Sequence, residues 1–159
     1  MHENKKRYWR DIQPGETWTT ESITISTRDI LEFAADFDPQ PYHLDSTVAE
    51  HSIFGGLCAS GWHVCAVMMR LLTDTFVNGR IDLLGSSGVS ALRWRKPVFA
   101  GDTLSSIITV KECLPPANNP KFGQIQCAVD VSNQHGEAVI VLTTALLIGS
   151  GDQREHDDG

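Results

Sequence analysis

The segment from Gly56 to Phe76 constrains this chain more than any other. Leu57, Ala59, Trp62, Val64, Cys65, Ala66, Val67, Met68, Met69, Leu71 and Leu72 place apolar groups on every side of a helix, and Arg70 is its one charge before Asp74. A helix that is apolar all round has to be covered all round. Asn78-Gly79 supplies a stop at its C-terminal end. The cover must come from the rest of the chain or from a second copy of it.

Downstream the apolar period changes to two. Ser87 to Val98, Thr103 to Leu114, Gly123 to Asn133 and Glu137 to Ile148 read as four strands. Gly101-Asp102, Pro115-Pro116 and His135-Gly136 mark the turns between them. Upstream, Glu16 to Ile25 is rich in Thr and Ile and reads as one more strand. Ser26-x-x-Asp29 then resembles a helix start. Ile30, Phe33, Ala34 and Phe37 give that helix one apolar face, and Pro39 and Pro41 end it near Asp38. Asp45 is placed to cap a brief helical turn through Glu50.

This order predicts a single α+β domain over residues 1–148, a long apolar central helix wrapped by a strongly curved antiparallel sheet. At 159 residues the chain holds one ordinary domain. One such sheet leaves an edge and part of the helix uncovered, so a homodimer, or a higher homo-oligomer of dimers, is expected.

Composition excludes more than it identifies. Lys plus Arg number 13 against 20 Asp plus Glu, a net charge of −7. That balance argues against a nucleic-acid binder, which needs a basic stripe. Residues 149–159 hold four acids and one base and read as a disordered acidic tail, so much of the negative charge lies outside the domain. No stretch reaches the 18 or so uncharged apolar residues of a membrane span. Lys5-Lys6-Arg7 leads into Tyr8-Trp9-Arg10-Asp11, which is no secretory apolar core. The four cysteines, Cys58, Cys65, Cys113 and Cys127, have no C-x-x-C spacing and sit in apolar stretches, so they read as buried reduced thiols. A cytoplasmic protein is the expectation.

The segment Phe33-Ala34-Ala35-Asp36-Phe37-Asp38-Pro39-Gln40-Pro41-Tyr42-His43-Leu44-Asp45 resembles the signature of MaoC-like dehydratases and (R)-specific enoyl-CoA hydratases. Their core pattern is D-x-N-P-x-H. Asp38, Pro41 and His43 match it, and Gln40 replaces the Asn. Phe54-Gly55-Gly56-Leu57-Cys58-Ala59-Ser60-Gly61-Trp62 looks like the family's entry into its central helix, with Gly55-Gly56 where many hydratases have His-Gly. Leu92-Arg93-Trp94-Arg95-Lys96-Pro97-Val98 followed by Gly101-Asp102-Thr103-Leu104 resembles a later strand and turn of the family. The resemblance covers roughly residues 8–148. It implies the hot-dog fold, which the apolar helix and the strands call for independently.

It also implies chemistry on a 2-enoyl-CoA thioester. Hydration needs a water deprotonated at the β carbon, a proton delivered to the α carbon and a thioester oxygen stabilised as it gains charge. Asp38 and His43, five apart on a proline-stiffened loop, suit the first two needs. The family assigns that role to its Asp–His pair. The N–H groups of Gly56 and Leu57, at the expected helix start, are candidates for the oxyanion contact. Gln40 is a candidate substrate contact, and Arg93 and Arg95 could meet coenzyme A phosphates. Plainer readings exist. On spacing alone Asp38 is also the acid that closes a helix, Gly55-Gly56 a tight turn, and Arg93 and Arg95 solvated strand charges. His51 and His63 lack the spacing of metal ligands, and apolar surroundings disfavour Cys58 or Cys65 as nucleophile.

The expectation is therefore a hydratase/dehydratase that uses no metal or redox cofactor, coenzyme A entering as part of the substrate. Two alternatives are a hot-dog acyl-CoA thioesterase and a non-catalytic acyl-thioester-binding module.

Overall fold

Ser26 opens the first helix as its spacing predicts. Its hydroxyl accepts from the Asp29 N–H at 3.0 Å, and the Asp29 carboxylate accepts from the Ser26 N–H at 3.1 Å. In the computed structural model, which describes residues 5–151, this helix (α1) spans Thr27–Phe37. Pro41 then starts a single helical turn, α2 (Pro41–Leu44), where a plain loop was expected. Proline suits that first position because its missing N–H would be unpaired there anyway. Asp45 caps α3 (Ser46–Glu50) by accepting from the N–H groups of Thr47 and Val48.

The long helix, α4, spans Gly61–Asn78 rather than starting at Gly56. The backbone before it is already committed. Cys58 pairs across to Phe99, and the Ala59 N–H donates to the Val98 carbonyl at 2.8 Å. An extended segment held this way cannot also be helical.

Five strands form one antiparallel sheet in the order β1-β3-β4-β5-β2, with β1 Thr17–Thr24, β2 Leu83–Trp94, β3 Thr103–Leu114, β4 Phe122–Ser132 and β5 Ala138–Gly149. The second strand lies about four residues upstream of its expected place. Bulges interrupt the register of every strand pair, and bulges increase local twist and bending. In β4, Ile125, Cys127, Val129 and Val131 turn inward and are buried, while Asp130 turns outward. These side chains meet Val64, Met68, Leu72 and Phe76 of α4 in one core, and Trp18 packs edge-on against Phe76 at 5.0 Å.

Gly149 and Ser150, expected in the tail, belong to the folded domain. Gly149 closes β5, and the Ser150 N–H and hydroxyl donate to the carbonyls of Lys121 and Pro120. The rest of it, residues 152–159, lies outside the described residues.

Coverage of α4 is incomplete within one chain. Trp62 is 60% exposed and Met69 37% exposed, with Ala66 exposed between them, a stripe along one face. The strand β2, at the sheet edge, also exposes Leu84, Val89 and Trp94. Among the described residues no helix is long and apolar enough to cross a membrane.

Candidate active site

Three pieces of chain meet at the N-terminal end of α4: the α1–α2 corner, the extended segment Cys58–Ser60 and the segment following β2. Between them lies a cavity of about 410 Å³, lined by Asp38, His43, Trp62, Trp94, Arg95 and Lys96 among others. Asp38 is indeed the residue that ends α1, its N–H donating to the Ala34 carbonyl at 2.9 Å. Its carboxylate, however, turns into the cavity.

His43 is buried, with 5% of its surface exposed. Its Nδ1 lies 2.6 Å from the Cys58 carbonyl oxygen. A carbonyl can only accept, so Nδ1 carries the proton, and in the neutral ring Nε2 is left with a lone pair. Nε2 faces Asp38 Oδ2 at 3.5 Å. Two acceptors at that separation have no hydrogen between them to share. A water that donates one hydrogen to each, about 2.8 Å from both, fits the arrangement.

The Asp38 carboxylate is held from two sides. The Ser60 hydroxyl donates to Oδ2 at 2.7 Å, and Gln40 Nε2 donates to Oδ1 at 2.7 Å. Tyr42 in turn donates its O–H to Gln40 Oε1. The Ser60 bond first, then the Gln40 bond, hold the carboxyl below the usual carboxylate range against the opposing effect of burial. Gln40 lines the same cavity, with its amide bonded to Asp38 and Tyr42. Ser60 is the residue that the sequence reading passed over. With the helix expected to start at Gly56, Ser60 fell inside it, and no local signal marked it as a partner of Asp38.

Gly56 and Leu57 sit before the extended segment and are absent from the cavity lining, whereas Gly61, the first residue of α4, lines it. The helix-dipole argument therefore belongs to Gly61. The ring of Trp94 covers this residue. A Cβ built on Gly61 would lie 2.4 Å from Trp94 Nε1 and 2.7 Å from Cε2. Trp62 meets Trp94 edge-on, with ring centroids 5.2 Å apart. Gly61→Ala is expected to lower stability by about 1–3 kcal/mol through overpacking. Most of that loss should vanish when Trp94→Ala is added, as a thermal-melt double-mutant cycle would show. Equal effects in both backgrounds would contradict the contact.

Arg93 and Arg95 separate. Arg95 lines the cavity together with Lys96, while Arg93 lies outside it and donates to the Leu92 carbonyl. Their expected common strand face fails because β2 ends at Trp94, between them. Lys96 pairs with Glu137.

His51 and His63 stay apart from the site. His51 Nδ1 meets the Thr47 carbonyl at 2.8 Å. His63 stacks on Phe33 with centroids 4.7 Å apart and lines a separate groove between α1 and α4. Burial pushes the thiols of Cys58 and Cys65 up and that of Cys127 up to about 12, which disfavours the thiolate a nucleophile would need.

Comparison with known proteins places this geometry. The family described as MaoC like domain matches residues 11–133. The uncharacterized protein YdeM of Bacillus subtilis (strain 168) is 32% identical over 134 residues, 84% of this chain and 93% of that one. A crystal structure of the MaoC-like dehydratase from Rhodospirillum rubrum superposes with a TM-score of 0.83 at 34% identity, covering 91% of this chain and 97% of that chain. The R-hydratase PhaJ1 of Pseudomonas aeruginosa shares the fold, with a TM-score of 0.71 at 24% identity over 90% of this chain and 86% of that chain. A family match over most of the length, joined to the same hot-dog architecture, makes this chain a member of the MaoC-like domain family.

Proposed function

We propose that this protein adds water to a 2-enoyl-CoA thioester and, in reverse, dehydrates the 3-hydroxyacyl-CoA. The observation that carries this reading is the facing pair Asp38 Oδ2 and His43 Nε2, 3.5 Å apart at the wall of an open cavity, with the His43 Nδ1 proton held by the Cys58 carbonyl. Such a pair orients a water and takes its proton. The thioester lies along the cavity with its β carbon at that water. Backbone N–H groups stabilise the oxygen that gains charge. Gly56 and Leu57 are proposed for that contact on the family resemblance alone, whereas the positive end of the α4 dipole lies at Gly61, which lines the cavity. Arg95 and Lys96 suit the coenzyme A phosphates.

The reaction class tests directly on a panel of 2-enoyl-CoA substrates. Loss of the conjugated double bond is the expected result. Release of free thiol with the double bond intact would establish a thioesterase instead. Binding without either reaction would establish an acyl-thioester-binding module.

The proposed assembly is a homodimer. The exposed stripe on α4 and the apolar residues along the β2 edge are both uncovered in one chain, and a second copy would cover them at little cost. Light scattering is expected to give at least twice the chain mass of 17.5 kDa. A monomer at micromolar concentration would contradict the assembly.

A further inference from the structure

Ser60 stands where a helix cap stands, yet it does not cap. It is the residue before α4, fully buried, and its side chain accepts no N–H from the helix's first turn. A serine in that place ordinarily satisfies one of the free N–H groups. Here the hydroxyl is aimed the other way and donates to Asp38 Oδ2 at 2.7 Å. Gln40 Nε2 holds the other oxygen at 2.7 Å, and Tyr42 holds Gln40 by donating to Oε1. Both carboxylate oxygens therefore already have a donor before any water arrives. The charged or titratable groups that line the cavity with Asp38 are Tyr42 and His43 from α2, Cys58 before α4, and Arg95 and Lys96 after β2.

We infer that Ser60, supported by the Gln40–Tyr42 pair, is a positioning residue that keeps Asp38 a fixed anion, so that Asp38 orients the attacking water and His43 Nε2 is the atom that takes its proton. This division of labour rests on the hydratase reading. A carboxylate that accepts strong hydrogen bonds at both oxygens is a poorer base, because each donor stabilises the charged form. The imidazole Nε2 has no competing donor among the described residues, and its Nδ1–H is anchored on the Cys58 carbonyl. In the forward step the water oxygen forms the bond to the β carbon as one of its protons passes to Nε2. The π pair of the double bond moves toward the α carbon and the thioester oxygen. His43, now an imidazolium, returns that proton to the α carbon, and the pair is restored. Nothing is oxidised or reduced. In the dehydration direction the imidazolium protonates the departing hydroxyl, and Asp38 again stays ionised.

The replacement of the family's Asn by Gln40 gains a meaning. The longer amide spans from Asp38 Oδ1 to the Tyr42 hydroxyl. It braces the carboxylate from the side opposite Ser60.

The experiment compares the full chain with Ser60→Ala, Ser60→Thr, Asp38→Asn and the double variant Ser60→Ala/Asp38→Asn, on whichever 2-enoyl-CoA the wild type hydrates best. Ser60→Ala should lower kcat by up to about a hundredfold, the scale of a misplaced catalytic group, and leave KM nearly unchanged. The midpoint of the Asp38 carboxyl should move to higher pH, because losing a donor to the charged form raises it. Ser60→Thr keeps the hydroxyl and should restore most of the rate. In the Asp38→Asn background, Ser60→Ala should cost nothing further, since its effect passes through Asp38. If Ser60→Ala fails to fold, Ser60→Cys keeps the volume with a weak donor and serves the same comparison. Carbon-13 NMR of the labelled Asp38 carboxyl follows the midpoint without any need for turnover, and it should rise in Ser60→Ala. An active wild type whose Ser60→Ala variant keeps its kcat and its carboxyl midpoint overturns the role alone, as do equal losses in both backgrounds. A wild type that hydrates nothing overturns the reaction and the role with it, while the NMR midpoint still reports whether Ser60 holds the carboxylate.

Discussion

Asp38→Asn is expected to lower turnover by at least about a hundredfold, the scale of positioned acid–base catalysis, while the protein stays folded. Asn has nearly the shape of Asp, and the Ser60 hydroxyl can still donate to its amide oxygen. What disappears is the negative charge. A neutral amide attracts the water's hydrogen more weakly. If its NH₂ group turns toward the cavity, it offers a donor where the water itself must donate. The loss should fall on kcat and kcat/KM together, because the interaction is made mainly in the transition state. Steady-state kinetics on enoyl-CoA, beside a thermal melt, separates this from simple unfolding. A near-normal rate in a folded variant would remove Asp38 from the mechanism.

His43→Gln should cost at least as much activity and, unlike the first variant, stability as well. The histidine is buried, and its Nδ1–H satisfies the Cys58 carbonyl at 2.6 Å. A glutamine that fails to reach that carbonyl leaves a buried acceptor unpaired, at about 1–3 kcal/mol. It also removes the basic nitrogen, His43 Nε2, proposed to face the water. The expected result is a drop of at least about a hundredfold in turnover together with a lower melting temperature. Retained turnover would show that Asp38 takes the proton alone, and it would contradict the assignment of Nε2.

The elements of the fold were legible because their signals are local. The Ser26–Asp29 capping box, the Asp45 cap and the alternation along β4 each act within a few residues, and each formed as read. The start of α4 was not legible. It depends on Cys58 and Ala59 pairing with Phe99 and Val98, about forty residues away in sequence. No local pattern announces such a pairing. The site shows the same division. Asp38 and His43 were visible through a short motif. The partners that define their chemistry were not, because Ser60 reaches Asp38 across 22 positions and the Cys58 carbonyl reaches His43 across 15. Arg95 and Arg93 were separated by the end of a strand, a boundary that sequence patterns place only to within a few residues.

The indole pair at the cavity gives the chain a built-in optical reporter. Trp62 and Trp94 line the cavity and touch each other. The other two tryptophans lie elsewhere, Trp18 against Phe76 in the core and Trp9 over Gly123 on β4. Emission that responds to an acyl thioester therefore arises from the site itself. A single Trp94→Phe substitution assigns the signal, so occupancy can be followed in unlabelled protein, including in variants too slow to assay.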